Sequence, residues 1–430
     1  MINTKNFQKF SLIGSLYVSQ YLPAWFLYDA LPVSMRQNGV SLEAIGILPT
    51  LALPITLSFL WSPLIDRYGF TRWGHYRFWI ICFQLLVTCV TVVCAFLDVK
   101  HNFTALLIGM ALMFILGASQ DIATDALAVG LLKKEERGIG NAVQSTGVSL
   151  GGAIGGGGML ILLNRWGWTP SLLILALIMI VMLIPLFLHR ETVQKSKAKS
   201  VDVLTAPHNV QDTPRKTLKE EDQLSNLELK TSYFWTFINF CRLPGMGWWL
   251  LILVLSSSGS SMAATMFRPL LVDIGLSLTD IGWLLGVVGT IAGVLGGIAS
   301  GFLIAPVGRS RSLLIFSLLW AISMLTYLLP TFGVTSLPVL YLVTIGAFFT
   351  VGIMNTITFT IQMDKSRLEA PGTDYTIQNS LAVLGSIIAA ALSGVIAKSI
   401  GYRGVFGLSF AIAILSVLII AKVSSFTQRT

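Results

Sequence analysis

Asp121 and Asp125 stand four residues apart in the apolar stretch GASQDIATDALAVGLL, with Gln120 beside them. That spacing puts both carboxylates on one face of a helix. An ionised Asp at the centre of a bilayer-spanning helix costs about 2.5–3.5 kcal/mol on insertion scales, so a pair on one face must look into water or find polar partners. Leu127 to Leu132 follow before Lys133, so the two acids sit at least a turn or two inside the segment rather than at its end. A carboxylate that exchanges its proton near physiological pH is the simplest proton carrier, and Asp121 and Asp125 are the candidate proton-coupling residues.

Other polar residues interrupt apolar runs. Asp29 lies in the outer part of the first run and Arg268 near the outer end of the seventh. Opposite charges at such depth pair or line a pathway; the alternative is an Arg reaching to the interface. Asn141 and Gln144 in the fifth run, Gln378 and Asn379 in the eleventh, and Gln120 are candidate hydrogen-bonding groups of a solute pathway, or amides that join helices. Trp25, Tyr28 and Trp283 are aromatic candidates for the same cavity. The four histidines lie in connections and the four cysteines have no metal-ligand or disulfide spacing, so neither metal nor cofactor is implied.

The elements that must position these residues follow from composition. Of 430 residues 54% are hydrophobic and 11% charged, with a mean hydropathy of +0.77, against roughly a quarter charged in soluble domains. Nucleic-acid modules and soluble enzymes are excluded. At about 20 residues per span, apolar runs fall at 12–34, 44–64, 78–97, 104–128, 141–163, 169–188, 247–271, 281–303, 312–330, 336–360, 375–397 and 402–422. Twelve transmembrane helices are expected in an all-α integral membrane protein. Residues 189–240, rich in Lys, Glu, Asp, Thr and Gln, cannot bury a core and read as a disordered linker between 1–188 and 241–430. The apolar stretch after Lys5 and Lys9 lacks a small-residue cleavage site and reads as an uncleaved first span. Of the 29 Lys and Arg, 23 fall on the side of the two chain ends, which places both ends in the cytoplasm.

The halves repeat. GVSLEAIG (Gly39–Gly46) recurs as GLSLTDIG (Gly275–Gly282), LIDRYGFTR (Leu64–Arg72) as LIAPVGRSR (Leu303–Arg311), and the turn at Gly167-Trp168 at Gly401-Tyr402. Two parallel, pseudo-symmetric six-helix bundles about an axis along the membrane normal are the arrangement of major facilitator transporters. The segment LWSPLIDRYGFTRWGHYR resembles that superfamily's loop signature. Its Asp-Arg-x-Gly core remains as Asp66, Arg67 and Gly69; Ser62 replaces the first Gly, and Phe70-Thr71 then Arg72 replace the basic pair. Asp66 is expected to pair with Arg67 or Arg72, or to cap the third helix, as part of a gating loop; a solvated turn is the alternative. The second copy has Ala305 in place of the acid.

ASQDIATDALAV, EERGIGN and IGILPTLALPITLSFLWSPLIDRYG resemble the branch that contains the AmpG muropeptide permeases, the endomembrane acetyl-coenzyme A transporters and the RhtX/FptX-type siderophore importers. The resemblance is strongest over 14–170. It implies proton-driven import across a bacterial inner membrane by a monomer, with Asp121 and Asp125 matching the paired acids of the fourth helix. The solute is expected to be a siderophore, with a muropeptide as the alternative; QDIATDALAV and the absence of additional spans favour the first. An integral membrane enzyme is the rival class, but two acids on one helix cannot flank a scissile bond, and no nucleotide-binding loop is present. The Gly-dense run Gly147–Gly158 is expected to serve helix packing, and the lack of a Gly-Pro pair there argues against an exporter.

Overall fold

The computed structural model describes residues 4–31, 53–69, 74–98, 101–188 and 236–427. Among them the chain is helical throughout its regular structure. Helix α1 (Thr4–Trp25) runs on through a π turn, Phe26–Ala30. α2 is described from Leu53–Leu57 through a 3-10 turn, Ser58–Leu60, to Ser62–Arg67. Then follow α3 (His75–Ala95) and α4 (Phe103–Leu131). α5 starts as Arg137–Gly152 and continues through a π turn, Ala153–Gly158, into Met159–Trp166. α6 comprises Trp168–Val181 and Ile184–Leu188.

The second half contains α7 (Met246–Asp273), α8 (Leu278–Ile281, Gly282–Gly289, Thr290–Val307), α9 (Arg309–Thr326 with Leu328–Thr331) and α10 (Leu337–Lys365). A last stretch, Pro371–Thr427, holds α11 and α12, divided at Gly401 with φ +70°. Nine described stretches are long and apolar enough to cross a membrane, and the last of them contains these two helices. These make ten helices, and α1 and α2, which are not among the nine, complete the expected twelve of an all-α class.

Breaks fall where the sequence repeats. Gly74 (φ 94°) precedes α3 and Gly308 (φ 88°) precedes α9; Gly167 (φ 78°) separates α5 from α6 as Gly401 separates α11 from α12. Only glycine takes such angles without strain. Residues 236–241, at the junction of the polar linker and the second half, are helical. Phe240 is fully buried there, and Phe237 meets Phe59 of α2 edge-on at 6.0 Å. Burial of Phe240 and partial burial of Phe237 offset the entropy cost of ordering this segment. The remaining linker lies outside the described residues.

Lipid tails are as apolar as Leu, so helices associate through close packing instead of a hydrophobic drive. In the first half α1 packs on α5 through Gly147, Gly151 and Gly155. A Cβ on Gly155 would stand 2.2 Å from the Leu22 carbonyl oxygen. In the second half α8 packs on α10 through Gly296 and Gly352, where a Cβ would stand 2.0 Å from the carbonyls of Phe349 and Gly293. The halves meet along α5–α8 and α2–α11, pairs that the repeat relates to one another. On the first seam a Cβ on Gly301 would lie 2.6 Å from Ala142 Cβ. The Gly-dense run thus serves helix packing, as expected.

Gly155→Ala should lower the detergent-solubilised protein's stability by about 1–3 kcal/mol, because the new methyl meets backbone that cannot yield. Gly157→Ala, with nothing within 4 Å, should change it by less than about 0.5 kcal/mol. Thermal unfolding of the two variants checks the contrast.

Candidate functional site

α1 brings Tyr17, Gln20 and Tyr21 to the face of α4 that carries the two acids. The Tyr17 hydroxyl donates to Asp125 Oδ1 at 2.5 Å, and Gln20 Nε2 donates to Asp121 Oδ1. Asp125 is 2% exposed and Tyr17 is fully buried, whereas Asp121 is half-buried. Neither acid has an ion-pair partner among the described residues. Tyr375 of α11 belongs to the same apolar cluster as Tyr17, with Ile13, Ala128, Val129, Leu132 and Met363. That cluster draws on both halves, so the coupling candidates lie against the surface along which the halves meet. Gln144 of α5 donates to the Tyr375 hydroxyl at 3.3 Å.

The remaining expected site residues are placed as follows. Gln120 donates to Gln84 Oε1 at 2.6 Å, and Gln84 to the Met179 carbonyl at 3.4 Å. It ties α3, α4 and α6 together. Asn141 Nδ2 reaches the Arg137 carbonyl at 2.7 Å and Thr360 Oγ1 of α10 at 3.3 Å, across the seam. Gln378 is held inside the second half: it accepts from Trp249 Nε1 at 2.7 Å and donates to the Asp374 carbonyl at 2.9 Å. Asn379, one residue on, lines a cavity of about 390 Å³ formed by α7, α9, α10 and α11. Arg268 is exposed on α7 and Trp283 is 57% exposed, both away from that cavity's lining. The Asp29 side chain and Arg72 lie outside the described residues, so the pairing of Asp29 with Arg268 is an expectation only.

Asp66 caps α11 of the other half and also bonds α3: Oδ2 accepts from Thr373 N at 2.7 Å and Thr373 Oγ1 at 2.6 Å, while Oδ1 accepts from Gly372 N at 3.1 Å and Tyr76 hydroxyl at 3.0 Å. A carboxylate is favourable there because the first backbone N–H groups of a helix lack partners. Gly69 stands against the His75 ring, which a Cβ would meet at 2.5 Å.

A second tie between the halves uses residues that spacing did not single out together. Arg137 Nη1 donates to Asp364 Oδ1 at 2.8 Å and to the Met363 carbonyl at 2.8 Å. Arg309 Nε donates to Asp364 Oδ2 at 3.0 Å, and its Nη2 to the Lys134 carbonyl. The second copy of the loop motif lacks an acid at Ala305, and Asp364 at the end of α10 supplies one from another helix. Lys9 pairs with Glu136 at 2.6 Å on the same face. The only sequence trace of this tie was a set of charges at helix ends, which the positive-inside pattern also explains.

Comparison with known proteins matches this arrangement. The Major Facilitator Superfamily profile matches residues 13–380 and 249–427. The chain belongs to that superfamily. It is a membrane transporter and not an enzyme. It is 31% identical to the anhydromuropeptide permease of Escherichia coli over 160 residues, 37% of this chain and 33% of the permease. The match thus spans about a third of the permease's length. It is 24% identical to a Rickettsia prowazekii protein named AmpG 3 over 93% of this chain and 92% of that one. The crystal structure of the human organic anion transporter MFSD10 superposes with a TM-score of 0.73 at 16% identity, over 96% of this chain and 99% of that one. At that identity the likeness concerns the fold alone.

A double-mutant cycle on Arg137→Gln and Asp364→Asn should show a coupling of about 1–3 kcal/mol. The measurement is the labelling rate of a single cysteine at Ala142, in a background without the four native cysteines. Each single variant should speed labelling, and the double variant should speed it by less than the product of the two.

Proposed function

We propose that the protein imports a bulky polar solute of the anhydromuropeptide class across a bacterial inner membrane, driven by protons that Asp121 and Asp125 carry. Asp125 carries the reading. It is a buried carboxylate with a tyrosine hydroxyl as its donor, and it lies against the seam between the halves. Protonation removes the charge that makes this position costly within a bilayer, so loading a proton there changes what the seam must accommodate.

The excess of Lys and Arg on the face of the chain ends supports a cytoplasmic location for that face. The Asp66 and Asp364 ties then close the cytoplasmic side, and inward release requires both to open. A membrane potential of 100 mV contributes about 2.3 kcal/mol per positive charge entering, and a tenfold proton ratio adds about 1.4 kcal/mol. Together these support a several-hundred-fold accumulation of a neutral solute per proton.

The relatives support the muropeptide class over the siderophore that the fourth-helix segment first suggested. The Escherichia coli relative is an anhydromuropeptide permease, and the Rickettsia prowazekii relative that aligns over nearly the whole chain is named a putative transporter AmpG 3.

In proteoliposomes with an inward proton gradient, the wild-type chain should accumulate a radiolabelled anhydromuropeptide, and Asp125→Asn should reduce that by about 100-fold. Asp121→Asn should do the same. Counterflow exchange, which moves no net proton, should fall by less than about 3-fold in either variant. Wild-type rates in both variants would remove the proton-carrier role. Accumulation of a ferric siderophore with no anhydromuropeptide uptake would move the solute assignment.

A further inference from the structure

The first turn of α11 is attached to the first half in several ways at once. Gly372 N, Thr373 N and the Thr373 hydroxyl donate to Asp66 at 2.6–3.1 Å. A Cβ on Gly372 would stand 3.1 Å from the Ile122 carbonyl oxygen, so α11 lies directly on the α4 backbone between Asp121 and Asp125. Tyr375, 1% exposed, enters the apolar cluster of Tyr17, the donor to Asp125, and its hydroxyl accepts from Gln144 of α5 at 3.3 Å. That hydroxyl is within electrostatic reach of both acids. The charges around Asp125 do not offset its own. Asp121 lies on the same helix, Tyr17 and Tyr21 come from α1, and Tyr375 comes from α11. Arg137 of α5 reaches the Val129 carbonyl at 3.4 Å, one turn further along α4, but it is engaged with Asp364; Asp374 of α11 is engaged with Arg367 at 2.7 Å.

We infer that Tyr375 is a positioning residue that makes closure of the two halves depend on the proton of Asp125. With the halves together, its ring belongs to the apolar wall around an acid whose donor is the Tyr17 hydroxyl. A charge kept from water without a counter-charge is far more costly than a neutral acid, so the ionised form opposes closure and the protonated form permits it. The ring is what keeps water out. With a small residue at 375, the space beside the carboxylate is polar-walled and roomy enough for water, and the charge no longer opposes closure. Gly372 to Tyr375 are consecutive helical residues, and a hydrogen-bonded turn moves as one body. Whatever displaces Tyr375 therefore displaces the groups that hold Asp66. Resting on the proposed proton role of Asp125, this link from the acid to the seam is read in conformation and not in transport.

The test uses the purified full chain in nanodiscs, without its four native cysteines and with a single cysteine at Ala142 on the seam. Labelling is followed at about pH 8, where an aspartate in contact with water is ionised. Asp125→Asn, which stands for the neutral acid, should slow labelling at least about 5-fold when Tyr375 is present, and by less than about 2-fold in a Tyr375→Ala chain. Tyr375→Phe, which keeps the ring, should restore the full response. A merely structural role for Tyr375 would speed labelling by the same factor with Asp or Asn at 125. Should Tyr375→Ala fail to fold, Tyr375→Ser makes the same comparison. No effect of Asp125→Asn in the Tyr375 chain, an undiminished effect in a folded Ala or Ser variant, or a response lost in Tyr375→Phe would overturn the inference. Additive labelling in a chain whose accumulation is abolished by Asp125→Asn would do so while leaving the proposed function standing. The full response in a chain whose Asp125→Asn variant accumulates solute at the wild-type rate would overturn the proton role instead and leave Tyr375 as the link between acid and seam.

Discussion

A carboxylate within a bilayer-spanning helix must be served by polar groups from neighbouring helices, and Asp125 imposes that demand on the rest of the chain. Its donor comes from Tyr17 of α1. α1 can stand close enough only because α5, behind it, presents Gly147, Gly151 and Gly155 to the α1 backbone. Tyr375 of α11 joins the same cluster from the other half. One acid thus constrains the packing of three other helices, and the glycine stripe of α5 is the steric condition that lets them meet it.

The two halves are held by polar ties on one face and by small residues along α5–α8. The ties differ although the halves repeat. The first copy of the loop motif uses its own acid, Asp66, to cap α11. The second has Ala305 at that place, and Asp364 from α10 joins Arg309 to Arg137. An acid near a cluster of cations can come from any element that reaches it, because the interaction depends on distance and not on sequence position. The repeat therefore preserves the backbone arrangement while the charge arrangement has become asymmetric.

The polar candidates divide by what surrounds them. Gln120 and Gln378 lie within single halves, each hydrogen-bonded to side chains or carbonyls of its own half. Asn141 and Gln144 cross the seam. Trp320 and Gln362 line the cavity of the second half and, like Asn141 and Gln144, each have one buried polar atom without a hydrogen-bond partner among the described residues. An amide in an apolar run looks the same in all three situations when only its chain neighbours are known.

The sequence by itself determined the class, the helix count, the repeat and the side of the charges. These depend on local composition: a bilayer forces each backbone polar group to be satisfied within its own helix, so length and hydropathy define each span, and glycines with positive φ mark the breaks at 74, 167, 308 and 401. It also picked out Asp121 and Asp125, since charge in an apolar run is conspicuous without knowledge of any partner. Tertiary structure alone decided that Tyr17 and Gln20 serve them, that Asp66 caps a helix more than 300 residues away, that Asp364 stands in for the missing acid, and that Phe237 and Phe240 order the end of the linker. Each of these is a meeting of side chains on different helices. Rotation and depth of one helix against the next are set by close packing over its whole length, which no window of sequence contains.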